Sequence, residues 1–317
     1  PSLAMASGAA ARRLTFASLA RGEHIWSLSL DTNRPSAATK VEPLTEETGF
    51  QTFPSISKDG TKLACLSHAA RNDEVWLFDL ATGKKLLISN TVSAKQKPII
   101  HSDGTRITWV EAGVGTYMAL TSSGVPERFC SCPWTWDWSS DYKHSLHFYN
   151  REPASVATSL TEVETGKRTV LLNRPGANVY NTSWSPDRKW LVFQVERDGH
   201  SQLYVAPYAD DQPLEESAWI AITDGSRTDE LPAWSPDGNW IYAVSNQDGF
   251  DCIWAFPVDA RTKTPSGPAV GVFHSHGSRV SLRNANGVSR TLSVAKNRIV
   301  FNQGEITGNI WMTEIPR

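Results

Sequence analysis

The sequence predicts an all-β chain: a seven-bladed β-propeller of four-stranded antiparallel blades, spanning residues 1–317 as a single domain. One observation is a recurring turn, Ser-x-Asp-Gly or a close variant, with aspartates Asp59, Asp103, Asp141, Asp187 and Asp237. Their spacing falls at the roughly 40–50 residues of a propeller blade. The other is the character of the flanking strands, which are rich in β-branched and aromatic residues and nearly continuous in apolar character. Both faces of each small sheet must then be covered by a neighbour.

The clearest copy is LPAWSPDGNWIYAVSNQDGFDCIWAFPVD (231–259). Two short strands flank Pro236-Asp237-Gly238, and a third follows the polar loop 246–251. Pro presets φ, Asp bonds its own downstream backbone, and Gly accepts positive φ. The same pattern appears in FPSISKDGTKLACLS (53–67), PIIHSDGTRITWVE (98–111) and NTSWSPDRKWLVFQV (181–195). It is degenerate in WTWDWSSDYKHSLHFYN (134–150), where Tyr142 replaces the turn glycine. Terminal copies are PSLAMASGAAARRLTFAS (1–18) before HIWSLSLD (24–31), and RTLSVAKNRIVFNQ (290–303) before NIWMTEI (309–315). The last copy has no fourth strand after it, so the last blade is expected to be incomplete. An open strand edge is a liability, so the missing strand is expected upstream of Pro1, with the domain excised from a longer chain.

The net charge of −2 gives no broad basic field, which excludes nucleic acid as an expected partner. No apolar run reaches the roughly 18 residues of a membrane span, so direct membrane insertion is not expected. Of the 13 Trp, six hold repeat positions and are read as packing between blades: Trp184 and Trp234, and Trp26, Trp76, Trp254 and Trp311. Cys65 and Cys252 lie inside strands, as small buried hydrophobes do. Cys130 and Cys132 form a C-x-C between the third and fourth copies, too few donors for a zinc set. No nucleophile elbow, phosphate loop, dinucleotide fingerprint or H-E-x-x-H is present, so no catalytic residue is assigned and no cofactor is expected.

In such a ring the Asp turns lie on one face. The loops between blades, and those between second and third strands, lie on the other, around the channel mouth. There the residues differ from copy to copy, and a concave mouth lined by differing groups can be selective. The candidate ligand- or partner-binding residues are Trp136, Tyr180, Asn181, Asp229, Glu230, His276 and Arg279. Phe53, Lys97, His274, Asp248, Phe250 and Glu305 fall on the same face. His274 and His276, two apart in an extended segment, point the same way and are the candidates for a metal, with a third ligand expected from another blade.

The Ser-x-Asp-Gly turns followed by an [IVL]-Trp strand resemble the TolB-type WD-like propeller repeat over essentially the whole chain. EHIWSLSLDTN (23–33), DELPAWSPDGN (229–239), DGFDCIWA (248–255), HSHGSRVSL (274–282) and VFNQGEITGNIWM (300–312) resemble the C-terminal propellers of acidobacterial signalling proteins, which follow a protein kinase or a winged-helix regulator. Those relatives show C-x-x-C near the fourth blade, where this chain has Cys130-Ser131-Cys132. The resemblance implies a non-catalytic binding or sensor module on the extracytoplasmic side of a membrane-tethered protein, and a monomer is expected. Its partner would be a protein, a peptide or a small polar ligand. Two alternatives are a metal-dependent lyase similar to oligogalacturonate lyases, with His101 or His200 joining the His pair, and the gating propeller of a prolyl-oligopeptidase-like enzyme.

Overall fold

The computed structural model describes residues 3–7, 12–38, 40–45, 50–69, 72–89, 91–151 and 155–315. The described residues are strands and the turns and loops between them, with one 3-10 helix at Glu216–Ala218. The N-terminal strands are β1 (Leu3–Ser7), β2 (Arg12–Ser29) and β3 (Lys40–Pro43). A second blade follows as β4 (Phe50–Ile56), β5 (Lys62–Ala69), β6 (Asn72–Asp79) and β7 (Lys85–Ser89). The third is β8 (Lys95–Ile100), β9 (Arg106–Glu111), β10 (Gly115–Leu120) and β11 (Pro126–Cys130). The fourth is β12 (Thr135–Trp138), β13 (His144–Arg151), β14 (Ser155–Glu162) and β15 (Arg168–Leu172). The fifth is β16 (Asn178–Trp184), β17 (Trp190–Arg197), β18 (His200–Pro207) and β19 (Ile220–Ala221). The sixth is β20 (Asp229–Trp234), β21 (Trp240–Ser245), β22 (Cys252–Pro257) and β23 (Val270–Phe273). The chain continues as β24 (Val280–Ser281), β25 (Leu292–Ala295) and β26 (Arg298–Ile315). Each of these blades is an antiparallel meander, as short polar turns between successive strands require.

Among the described residues seven separate blades are not found. The two terminal copies are halves of one blade. β25 pairs with β26 from Leu292↔Phe301 to Ala295↔Arg298, and β26 pairs with β2 from Arg12↔Ile315 to Ser29↔Arg298. β2 pairs in turn with β3 from Trp26↔Pro43 to Ser29↔Lys40. The described residues thus form six four-stranded units, two of them joined in one ten-stranded sheet that also holds β1 and β24, and the unit expected to be incomplete has two strands from each end of the chain. The segment 309–315 is the far end of β26, paired with residues 12–18. Of the expected first strand at 1–18, residues 1, 2 and 8–11 lie outside the described residues.

The miscount has a physical source. NIWMTEI has the composition of a strand buried on both faces. Ile310, Trp311 and Met312 are nevertheless 80%, 52% and 63% exposed, on a ribbon that runs beyond the blade. Trp311 is therefore not the packing residue its repeat position suggests, whereas Trp184 and Trp234 are buried.

The core lies between neighbouring blades. Leu66, Val75 and Leu77 of the second meet Ile107, Trp109 and Ala119 of the third. Phe129 and His101 of the third meet Trp138 of the fourth. Fourth and fifth share Leu146, Leu172 and Phe193; fifth and sixth share Leu203, Val205, Ile241 and Phe256. Tyr242 and Ile253 of the sixth meet Leu28, Ile299 and Phe301 of the shared blade, whose Ile25 and Val300 meet Leu63 and Phe78 of the second.

The repeated turns are held by one device. In the sixth blade Ser235 Oγ donates to Asp237 Oδ1 (2.6 Å) and accepts from Trp240 N–H (3.0 Å), while Asp237 Oδ1 accepts from Asn239 N–H (3.0 Å). The same serine–aspartate pair recurs at Ser57–Asp59, Ser139–Asp141 and Ser185–Asp187. In the third blade His101 replaces the serine, and Asp103 takes the Tyr142 hydroxyl instead (2.5 Å).

Asp237→Ala is expected to lower stability by about 1 kcal/mol, read from urea denaturation midpoints, because it removes a hydrogen-bonded turn anchor. The serine hydrogen bonds hold the carboxyls of Asp59 and Asp141 below their ordinary value of 3.8. The folded state then binds fewer protons than the unfolded chain. Stability from these turns is full above that value and is lost as pH falls through the depressed range. Denaturation midpoints measured from about pH 5 down to about pH 2 should fall, and by less in an Asp59→Asn, Asp141→Asn variant.

Candidate binding site at the channel mouth

The innermost strands β4, β8, β12, β16 and β20, with the start of β25, line one cavity of about 270 Å³. In five of them the ladder to the second strand slips: at Thr52/Ser55, Gln96/Ile99, Thr135/Asp137, Tyr180/Ser183 and Glu230/Ala233. A bulge of this kind re-aims a side chain. At four of the slips a non-glycine residue holds a left-handed φ: Phe53 at 53°, Lys97 at 39°, Asn181 at 50° and Leu231 at 56°. Such backbone costs on the order of 1 kcal/mol or more and persists where the surroundings enforce it. Gln194 enforces two of them: its Oε1 accepts from Asn181 Nδ2 (2.9 Å) and from Leu231 N–H (3.0 Å). Phe53, Lys97, Trp136, Asn181 and Leu231 all line the cavity. Five successive blades thus each present one residue from one equivalent point, and no two of the five are alike.

Lys97 Nζ lies 4.3 Å from the centre of the Trp136 ring, a cation–π contact. The indole is held in an aromatic cluster, with Trp134 at 6.4 Å and Phe148 at 6.1 Å. Beside it Asp137 accepts from Trp184 N–H (3.0 Å) and Trp138 N–H (2.8 Å). Burial pushes the Lys97 amine down to about 7, against the pull of Asp137. Burial likewise pushes the Asp137 carboxyl up, against Arg188. Arg188, which holds the turn position of a glycine at φ 61°, donates to Trp138 O (2.8 Å) and covers the Trp184 ring. His101, packed on Trp138 and Tyr142, is pushed down to about 3 by burial and is neutral. The channel wall therefore offers a cation near its titration point, a carboxylate, an amide and two large rings, the set that orients a polar ligand in a partly apolar cleft.

The sequence-predicted residues divide among several places. Trp136 and Asn181 line the cavity. Tyr180 precedes Asn181 on β16, its hydroxyl pushed up by burial and by Glu196. Asp229 is buried on β20, its carboxyl pushed up by burial. Glu230 pairs with Arg290, which also donates to Asp251 (2.9 Å). Arg279 pairs with Glu305 (2.6 Å), and His276 with Asp248 (2.9 Å). Tyr180, Asp229, Glu230, His276 and Arg279 are not among the cavity-lining residues. Arg290 and Gln194 were missed: each is a lone polar residue in sequence, and only the fold gives it two partners.

His274 and His276 do share a focus, but the ligand-type groups that meet them belong to their own blade, not to another. His274 Nδ1 lies 2.7 Å and His276 Nε2 2.9 Å from Asp248 Oδ2, and Cys252 Sγ lies 3.5 Å from the same oxygen. The two histidine contacts outweigh burial and hold the Asp248 carboxyl down to about 2, while burial pushes the Cys252 thiol up to about 11. His101, in the channel wall of the third blade, does not join this group, nor does His200 on β18. Cys130 and Cys132 are joined by a disulfide.

The Lys97 shift has a sign that can be tested. Its folded value lies below the ordinary 10.5, so the unfolded chain binds more protons between about 7 and 10.5 and stability rises with pH across that window. Lys97→Met should lose that rise, read as a wild-type minus variant difference in denaturation midpoint that changes with pH between 7 and 10.5.

The family model of the TolB beta propeller domain matches residues 132–305. In sequence the chain is 23% identical over 212 residues to an uncharacterized protein of Agrobacterium fabrum (strain C58), covering 63% of this chain and 67% of that one. In structure it is similar to a protein assigned as TolB from Agrobacterium tumefaciens, with TM-score 0.65, 16% identity, and coverage of 94% of this chain and 100% of that one. It is also similar to TolB from Acinetobacter baumannii, with TM-score 0.58, 15% identity, and coverage of 91% and 66%. At these identities the structural likeness is one of fold. The sequence model spans the fourth to sixth blades and part of the shared blade, more than half of the chain, and the chain belongs to the TolB beta propeller domain family.

Proposed function

We propose that this propeller is a non-catalytic binding module: it takes a peptide segment of a protein partner, or a small polar ligand of the same chemistry, at the channel mouth, and serves a signalling domain. The observation that carries this reading is the set of bulge residues Phe53, Lys97, Trp136, Asn181 and Leu231 around one cavity. Strain repeated at one point of successive blades, each time with a different side chain, is what a selective mouth requires and what packing does not. The Lys97–Trp136 pair and the neighbouring Asp137 give it both area and orientation. Tyr180, Asp229, Glu230, His276 and Arg279 are proposed to form the outer rim. Likeness to TolB-type propellers favours a protein partner. The Cys130–Cys132 disulfide favours an extracytoplasmic location. Among the described residues no helix is long and apolar enough to cross a membrane.

The test is selection of binders from a random peptide library on the wild-type chain, followed by affinity measurement on variants. Trp136→Ala should weaken selected peptides by more than about tenfold, the loss typical of a buried aromatic anchor. Arg279→Ala should weaken them less and melt as the wild type does, while Trp136→Ala should stay folded with a lowered melting temperature, because its ring packs on Trp134 and Phe148. Peptides that bind both variants unchanged but lose affinity for Asp237→Ala would place recognition on the opposite face and overturn the reading.

A further inference from the structure

Away from the channel, four side chains that could each ligate a metal converge at the outer edge of the sixth blade. Asp248 lies in the loop between β21 and β22, Cys252 opens β22, and His274 and His276 follow β23. One ligand atom from each lies within 4.8 Å of every other. Around a tetrahedral ion with bonds of roughly 2.0–2.3 Å, donor atoms sit about 3.3–3.8 Å apart. Small shifts bring the four into that arrangement: the two histidine contacts to Asp248, at 2.7 and 2.9 Å, open slightly, and the longer separations close.

The fold has built this convergence. β22 and β23 pair through Ile253↔Phe273 and Trp254↔Gly271, which carries the chain after β23 past Cys252. There burial alternates along the chain. Ser275 turns inward, buried, with its Oγ donating to Gln303 (3.3 Å) and accepting from Leu282 N–H (3.0 Å). His274 and His276 consequently turn outward on one side. Each imidazole is seated. His274 stands edge-on to Trp254 with ring centres 5.7 Å apart, and a Cβ on Gly271 would come within 2.8 Å of its Nε2, so only glycine leaves room for the ring. His276 stacks on Phe250 at 4.2 Å. Asp248 is fixed by Phe250 N–H on its other oxygen (3.2 Å). The Ser275 N–H donates to Cys252 Sγ (3.3 Å), the kind of outer contact that steadies a ligating thiolate.

We propose that Asp248, Cys252, His274 and His276 form a zinc site that fastens the 274–289 segment to the sixth blade. The donor set selects the metal. A thiolate and two imidazoles suit zinc and disfavour magnesium, calcium and manganese, which take oxygen ligands. One thiolate and one carboxylate also balance the charge of a divalent ion. The segment is worth fastening. It adds β24 to the edge of β26, packs the Asn284 backbone against Gly304, and ends at Arg290 and Thr291, beside and in the channel wall. A metal at its start would set the geometry of one side of the mouth.

The experiment uses the full, tag-free chain, stripped with a chelator and titrated with zinc against a chromogenic competitor. One zinc per chain is expected. Cobalt in its place should show a thiolate-to-metal charge-transfer band, absent in Cys252→Ser and present in His200→Ala. His276→Ala, at an exposed position, should weaken zinc by at least about 100-fold while leaving the melting of the metal-free chain unchanged. Gly271→Ala should also weaken it, through displacement of the His274 ring. Zinc should raise hydrogen-exchange protection across residues 274–289. The site is refuted by substoichiometric zinc, by equal zinc affinity in His276→Ala and wild type, or by displacement of zinc by equimolar manganese or calcium. Stoichiometric zinc without added protection refutes the fastening role. These results do not depend on peptide binding at the channel, so either proposal can fail alone.

Discussion

The pairing of the two ends of the chain is the constraint on which the rest depends. Residues 23–29 and 298–304 must find each other across most of the sequence before the first and last blades have neighbours on both sides. Closing a loop of that length costs about 5 kcal/mol in chain entropy. Ile25, Leu28, Ile299, Val300 and Phe301, all fully buried, supply the compensation. Loss of one large member such as Phe301 would cost about 3–5 kcal/mol, which is comparable with the whole closure term. The interblade cores are local by comparison, each built from strands that follow one another in sequence. The shared blade is where the contacts are long-range, and it is the part of the ring whose formation waits on all the others.

Given that frame, the irregular parts can be irregular. The bulges at Phe53, Lys97, Asn181 and Leu231 sit on innermost strands, while the ladders between the second and third strands of those blades are regular. Gln194 ties two of them together from the adjacent strand. The polar cluster on the sixth blade has the same logic. A turn, a strand end and a crossing segment contribute its side chains, and aromatic rings from regular strands or tight loops hold each imidazole in place. In both cases variable groups are displayed from a scaffold that does not vary.

What was legible in the sequence was what is local. The Ser-x-Asp-Gly turns read correctly because the bonds that hold them, such as Ser235 to Asp237 and Asp237 to Asn239, span a few residues. Of the residues that the sequence reading puts on one face, His276 and Asp248 are in contact, as are Arg279 and Glu305, although neither pairing was read from sequence. The number of blades was not legible. The apolar character of 309–315 comes from an exposed ribbon, not a buried strand, and composition does not distinguish the two. Nor could sequence show that Cys252, read as a small core hydrophobe, turns its sulfur toward Asp248. That depends on the register between β22 and β23. The bulges were equally hidden, since Phe, Lys, Asn and Leu share no signature of left-handed backbone.

The long ladder has a mechanical consequence. Arg12 faces Ile315, and the pairing runs without a break to Ser29 and Arg298. The two strands therefore enter the ladder side by side at its outer tip. Tension that draws residue 12 away from residue 315 acts on one pair at a time, as on a zipper, and does not shear the row as a whole. The exposed stretch with Leu19, Ile310 and Met312 opens first, and the fully buried pair Leu28↔Ile299 and the pair of half-buried Trp26 with buried Phe301 bear load only after it. The ribbon is thus the part of the ladder that opens first under such a pull.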